Sequence, residues 1–449
     1  MIENFSEGLS YFQISYLTFQ AVTEILIICL SGYVAAKFNL INSTTQKQIS
    51  KLNISIFTPA LIFIQLAQSL SLKKFLELSI IPIFFTLSSV TSYFCSRIVS
   101  SILKLNKSET GFVIANSVFP NSFALPVSLI LSLCSTLPNL TWDKLPNDDA
   151  AQMASRTVLY LLIYNQLGQI LRWSWGYNTL LKKVDNNELY HLDDPNFIPN
   201  DSERNLDDAL SLDNSIFKGI SSSKVPITTT ISNDKLNPTE STPLLISSAS
   251  SSFSSSSLYS TLNKIKTKVL QYMNPPLYAM IAAMIISLLP RVRKILFENN
   301  GFLNSTIVLA TDQLGALAVP LVLIILGANL YPSNDVPSAT PYYNRLVFGS
   351  LISRMLLPAT ILVPLTFLIV KYLSIPNATD PVFLLCAFVL IFCPPALQVS
   401  QICQINEIYQ KEMAGVLFWS YVIFTLPAII FAVLLASQAL NFLFNILLE

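Results

Sequence analysis

Residues 116–126 read NSVFPNSFALP, and residues 393–404 read CPPALQVSQICQ. In the first stretch Pro120 and Pro126 flank Asn121 and Ser122, with Asn116 and Ser117 just before them; in the second, Pro394 and Pro395 precede Gln398, Gln401 and Gln404. Neither stretch forms one continuous helix, because each proline lacks an amide donor and its ring crowds the turn before it. Both nevertheless interrupt long apolar blocks. Freed backbone groups at membrane depth are tolerated only where protein buries them or where they line a wet cavity.

The surrounding blocks require a bilayer. Of 449 residues, 52% are hydrophobic and only 12% charged, whereas about a quarter are charged in an average soluble domain; the mean hydropathy is +0.55. The apolar residues come in runs of about twenty, each long enough to cross a hydrocarbon core of about 30 Å. Reading the runs with their breaks places spans at about 17–36, 47–67, 75–98, 111–133, 154–176, 273–294, 306–330, 345–372, 380–402 and 414–437. The expected fold is therefore an all-α polytopic membrane protein of ten transmembrane helices, with the fourth and ninth broken. Net charge is +1, from 27 Lys+Arg against 26 Asp+Glu, which gives no basic surface for nucleic acid. The first sixteen residues carry Glu3 and Glu7 and no basic residue, so the first span is expected to insert without cleavage.

Residues 178–271 have different chemistry, with acidic clusters at Asp193–Asp194 and Asp207–Asp208 and a serine tract from Ser247 to Ser257. Such a segment buries too little apolar area to offset its ordering entropy and is expected to be a disordered linker. It divides the chain into a first half, 1–177, and a second half, 272–449. Because five spans are an odd number, two halves of like fold must lie upside down relative to one another, the inverted-repeat plan of secondary transporters. Internal echoes agree: IFTPALIFI around Pro59 resembles LAVPLVLII around Pro320, and ALPVS at 124–128 resembles ALQVS at 396–400. Lysines and arginines near span ends are denser on the side carrying the linker, which puts the linker in the cytoplasm. Sequons occur at Asn42, Asn106, Asn139, Asn304 and Asn377.

If the broken spans cross near the midplane, the N-terminal ends of their second halves aim peptide amides and positive dipole ends at one spot, which favours an anion. Asn121 and Gln398 add neutral donors and acceptors there. Either break alone is equally read as a packing kink; the pair in corresponding spans is what points to a transporter site. Glu24, Asp312 and Arg354 are ionisable groups within spans, with Arg354 the deepest. Each is a functional candidate, an ion-pair partner or a snorkelling side chain. In the fifth span Asn165 and Gln169 share a helix face, beside Gln166, and either line the cavity or bond neighbouring helices. The aromatic end around Arg172, RWSWGY, reads as an interfacial anchor. The six cysteines form no CxxC pair and read as small buried packers.

Nothing in the sequence supports an enzyme, and no cofactor or metal is expected. The single histidine, His191, lies in the linker, and there is no GxxxxGK[ST] phosphate loop. A Ser–Lys dyad stays open.

These motifs together resemble the auxin efflux carrier family, the PIN and PIN-like membrane transport proteins, in its fungal branch. The resemblance covers about 15–177 and 272–437 and rests on IFTPALIF, VFPNSFALP, LGALAVPLVLIILGANLYP, FCPPALQVSQICQINEIY and FWSYVIFTLPAII, with RWSWGYN before the loop and NPPLY after it. It implies two inverted five-span repeats, a scaffold and a transport part, and elevator-like alternation about crossed fourth and ninth helices. Pro120 and Asn121 match the family's first break, Pro394 and Pro395 its second, and Gln166 a polar position on the fifth span. Plant relatives export an indole carboxylate; fewer residues separate the fourth-span prolines here than in plant carriers, which argues against auxin itself and leaves an auxin-like carboxylate or another amphipathic acid as the expected substrate.

The expected substrate-binding set is Asn116, Pro120, Asn121, Ser122, Gln166, Arg354, Pro394, Pro395, Gln398 and Gln401. The expected partners are a small organic anion and the lipid bilayer, with a homodimer open. By analogy with smaller plant relatives, the endoplasmic reticulum membrane is preferred to the plasma membrane. The alternative is a non-transporting scaffold or regulator acting through the serine-rich linker.

Overall fold

Helix starts are written plainly in this sequence. Asn42 accepts the amide of Thr45 at 2.8 Å to open Ser43–Leu52. Asn106 and Glu109 form a reciprocal capping box, 2.8 Å each way, at the head of Lys107–Val118. Asp149 caps Ala150–Leu171, and Asn274 followed by two prolines opens Pro275–Leu288. Two sequon asparagines, Asn42 and Asn106, are thus helix caps.

In a computed structural model of the chain, the residues described are 11–69, 78–134, 140, 142, 148–185, 189, 273–298, 301–331, 339–372 and 379–448. From residue 190 to 272, the linker with His191 and its serine tract lies outside them, as do Asn139 and Asn377. The first residues assigned to the linker continue the fifth helix instead: Arg172–Leu180 is π-helical, and the Leu181 carbonyl accepts Asn406 Nδ2 at 2.5 Å. The described residues are almost entirely helical, their β pairing limited to one isolated bridge. Four helical stretches, Ser43–Gln68, Asn304–Leu330, Tyr343–Ile369 and Gln410–Leu440, are long and apolar enough to cross a membrane. The chain is thus a polytopic helical protein. Large apolar side chains such as Phe94, Ile98, Ile285, Phe302 and Phe431 are exposed on its periphery, a surface suited to lipid and not to water.

The centre of the molecule is formed by two half-helices that are buried on every face. In Lys107–Val118 every residue from Ser108 onward is buried, and in Pro381–Phe392 every residue from Val382 onward. The second of them is apolar on all sides, as a helix surrounded by protein is; the first buries Ser108, Glu109, Thr110, Asn116 and Ser117 as well. Asp380 fixes the start of the second: its Oδ1 takes the Val382 amide at 2.9 Å, while its Oδ2 takes the Tyr160 hydroxyl at 2.5 Å and pairs with Arg156 Nε at 3.1 Å. Arg156 grips Asp148 with both terminal nitrogens, at 2.6 and 2.7 Å.

Around this centre, Tyr11–Lys37 packs on Ala318–Leu330 at closest range where Gly32 meets the Ile324 backbone and Gly327 meets that of Cys29; a Cβ at either position would overlap main chain. The two echoing proline motifs also meet. Each proline follows a departure from α-geometry, the π-turn Asn53–Phe57 before Pro59 and the turn at Leu317 before Pro320, and Asn53 Nδ2 donates to the Ala318 carbonyl at 2.8 Å. All six cysteines are free and buried.

Candidate functional site

The breaks fall where the prolines put them. Lys107–Val118 stops before Phe119 and the chain resumes as Ala124–Cys134; Pro381–Phe392 stops before Cys393 and the chain resumes as Gln398–Asn406. Between the halves each strand is extended, and the two cross. Asn121 N donates to the Pro394 carbonyl and Ala396 N to the Phe119 carbonyl, both at 2.8 Å, so Pro120 and Pro395 form a short antiparallel bridge. The prolines prevent helix in both segments and leave the neighbouring amides to pair with each other.

Beside the crossing lies a small hollow of about 70 Å³, lined by Pro120, Asn121, Ser122 and Phe123 of the first break, by Ala396, Leu397 and Gln398 of the second, and by Asn165, Gln169 and Arg172 of the fifth helix. Leu61, Gln65 and Val319 complete the wall. Because the bridge occupies the amides of Asn121 and Ala396, the polar character of the hollow rests largely on side chains. Asn121 Nδ2 donates to the Tyr421 hydroxyl at 2.7 Å, and that hydroxyl donates to the Pro395 carbonyl at 3.1 Å. Ser122 Oγ donates to Asn165 Oδ1 at 3.1 Å. Gln169 Oε1 accepts Trp173 Nε1 at 3.0 Å and Arg172 Nη1 at 3.2 Å, and the same Nη1 reaches Gln398 Oε1.

Of the residues expected here, Pro120, Asn121, Ser122 and Gln398 line the hollow, as do Asn165 and Gln169. Pro394 and Pro395 belong to the bridge behind it. Asn116, Gln166 and Gln401 are buried but face elsewhere; Asn116 Nδ2 is held by the Phe112 carbonyl at 3.0 Å. Gln166 lies one residue beyond Asn165, about 100° round the helix. Glu24 and Asp312 are exposed on outer helix surfaces and do not reach the hollow.

Arg354 stands apart from the place expected of it. Buried at 3% exposure, it donates through Nε to the Cys393 carbonyl at 2.9 Å, through Nη1 to the Ser117 carbonyl at 3.1 Å and through Nη2 to the Leu390 carbonyl at 2.8 Å. These are carbonyls freed where the two first half-helices end. Each helix C-terminus carries a partial charge of about −0.5, so the two ends together balance one guanidinium.

Arg172 overturns the reading as an interfacial anchor. It is 2% exposed and is the charged residue of the hollow's lining, with its guanidinium carbon 5.6 Å from the centre of the Phe119 ring. Its sequence context, an arginine among tryptophans at the end of an apolar run, is the same in either location, so only the π-helical widening at 172–180 and the crossing reveal its direction. Tyr421, the support of Asn121, falls in the FWSYVIFTLPAII motif, which carried no site role in the sequence. Arg172, Arg354 and Tyr421 each lie in a π-helical segment, 172–180, 352–356 and 419–424 respectively, a local geometry often found at functional sites.

Comparison with known proteins gives the family. The sequence pattern defining the membrane transport protein family, which includes the auxin efflux and PIN-like proteins, matches residues 17–432. The chain belongs to this family. Within the membrane transport family it is 41% identical over 438 residues to an uncharacterized transporter of Saccharomyces cerevisiae, covering 96% of this chain and 97% of that one. An uncharacterized transporter of Schizosaccharomyces pombe is 32% identical over 415 residues, 90% of this chain and 91% of the relative. Protein PIN-LIKES 2 of Arabidopsis thaliana is 23% identical over 432 residues, 91% and 92% of the two chains. The family match reaches through both breaks, so the membrane transport assignment covers the residues that cross at Pro120 and Pro395.

Proposed function

We infer that this chain is a secondary-type carrier of a small organic anion, moving it by elevator-like alternating access through the hollow beside the crossed breaks. In this reading the membrane part is ten spans in two inverted five-span repeats. The linker is cytoplasmic and the residence is the endoplasmic reticulum membrane. The observation that supports it most is the pairing of Pro120 with Pro395, which brings a broken helix from each half to one hollow with polar side chains in its wall, in the middle of an apolar protein. Discontinuous helices meeting in this way are how membrane carriers expose polar groups to a substrate without exposing them to lipid. Helices 11–37 and 318–330, in backbone contact at Gly32 and Gly327, supply a frame against which the crossing moves.

The test is uptake of radiolabelled benzoate and indole-3-acetate by proteoliposomes containing the purified protein. The double substitution Asn121→Ala with Gln398→Ala is expected to lower flux about tenfold or more, through loss of two hydrogen bonds of about 0.5–1.5 kcal/mol each. Unchanged flux in the double variant removes those side chains from the site.

A further inference from the structure

Two buried arginines flank the crossing, and their surroundings differ in one respect. Arg354 sits at the carbonyl ends of two half-helices, where dipoles offset its charge. Arg172 sits at the opposite ends. The hollow it lines is walled by the residues that lead into Ala124–Cys134 and Gln398–Asn406, at the positive ends of those helices, and no side chain caps the second of them. The guanidinium bonds only to the neutral amides of Gln169 and Gln398 and overlies Phe119. Its buried Nε has no partner. No carboxylate pairs with it among the described residues, and no Asp or Glu lines the hollow. A guanidinium stays protonated under all ordinary conditions, and an isolated buried charge is costly. The hollow therefore carries one full positive charge and two partial ones with nothing of opposite sign to offset them.

We propose that Arg172 is the fixed counter-charge for the transported anion, and that the charge makes the carrier an anion exchanger. This rests on the carrier reading above and adds what it leaves open, the recognition group and the mode of coupling. With a monoanion bound, the full charge of the guanidinium is offset and only the partial charges of the two helix ends remain. Without one the site carries a net positive charge through a low-dielectric passage, which the Coulomb energy disfavours. Arg172 is bonded to Gln398 of the second break, so the charge travels with the crossing. The loaded carrier returns readily and the empty one does not. The hollow's lining also lacks an acid to carry a proton, so exchange takes the place of proton coupling.

Three acids, acetate, benzoate and indole-3-acetate, each paired with its uncharged amide, test recognition on the purified full chain by its melting midpoint. At least one acid is expected to stabilise the wild type while its amide does not. Arg172→Gln is expected to weaken that binding about tenfold or more, with Arg172→Lys keeping part of it. Amides that match their acids overturn the proposal, and they do so in the wild type, independently of how any variant folds. Protection that survives unchanged in a folded Arg172→Gln protein also overturns it. For coupling, proteoliposomes are loaded with the radiolabelled acid at about pH 8, where its permeant protonated form is scarce. Efflux is expected to be several-fold faster into buffer containing the unlabelled acid than into buffer without it. Equal efflux into both overturns exchange. Flux that persists in Arg172→Gln refutes the counter-charge and leaves the carrier reading standing, whereas absence of binding and of flux in the wild type refutes both.

Discussion

At the scale of single residues, two arginines do different work with the same chemistry. Arg354 holds three carbonyls at the ends of two half-helices, a task that suits a planar fork with five donors and that a lysine performs only in part. Arg354→Gln is expected to cost about 3 kcal/mol or more, since hydrogen bonds to a charged group contribute about 1.5–3 kcal/mol each and the orphaned carbonyls stay buried. The measurement is the melting midpoint and elution profile in detergent, with Arg354→Lys intermediate; a Gln variant as stable as the wild type would show that the carbonyls find other partners. Of the three charges read as lying within spans, the sequence ranks Arg354 above Glu24 and Asp312, and it is the buried one, because depth is visible in the length of the apolar run. Its partners are invisible there, since they are backbone atoms from two distant helices. Arg172 was legible as a charge and not as a site residue, because an arginine beside tryptophans reads the same at a membrane surface and in a buried hollow.

At the scale of elements, the two breaks were fully legible, since proline acts through its own covalent structure and needs no tertiary context. The capped helix starts were equally plain. The π-helical segments were not, although three of them carry Arg172, Arg354 and Tyr421; an extra residue in a turn has no composition of its own. The end of Gln398–Asn406 is a further case. Glu407 closes it in the left-handed region at φ 58°, an unusual conformation for a residue with a side chain, and is held by Lys47 at 2.7 Å and Lys183 at 2.6 Å. Those ammonium groups, Lys183 foremost, keep its carboxyl below the ordinary carboxylate range. A lowered folded-state pKa means the stabilisation is complete above the unfolded value of about 4.3 and is lost as pH falls through the lower folded one. Glu407→Gln is therefore expected to melt slightly below the wild type near neutrality, by an amount in keeping with about 0–1 kcal/mol per exposed pair. The two midpoints should converge as pH falls below about 4. A gap that stays constant across that range would show that the ion pairs are not its source.

At the scale of the whole molecule, the two halves are joined at their most irregular points. The paired breaks made a crossing an expectation, while the bridge through Pro120 and Pro395 and the occupied amides of Asn121 and Ala396 depend on a distance no single sequence states. The central claim is that this crossing borders a hollow open to water, within a protein whose periphery suits lipid. Thiol accessibility tests it most directly. In a chain whose six native cysteines are replaced, Gln398→Cys is placed in membranes and treated with an anionic, membrane-impermeant methanethiosulfonate, alongside Ile391→Cys in the buried half-helix. The account predicts that Cys at 398 reacts, that a bound carboxylate slows the reaction, and that Cys at 391 stays inert; a residue 398 thiol as unreactive as that at 391 would contradict it.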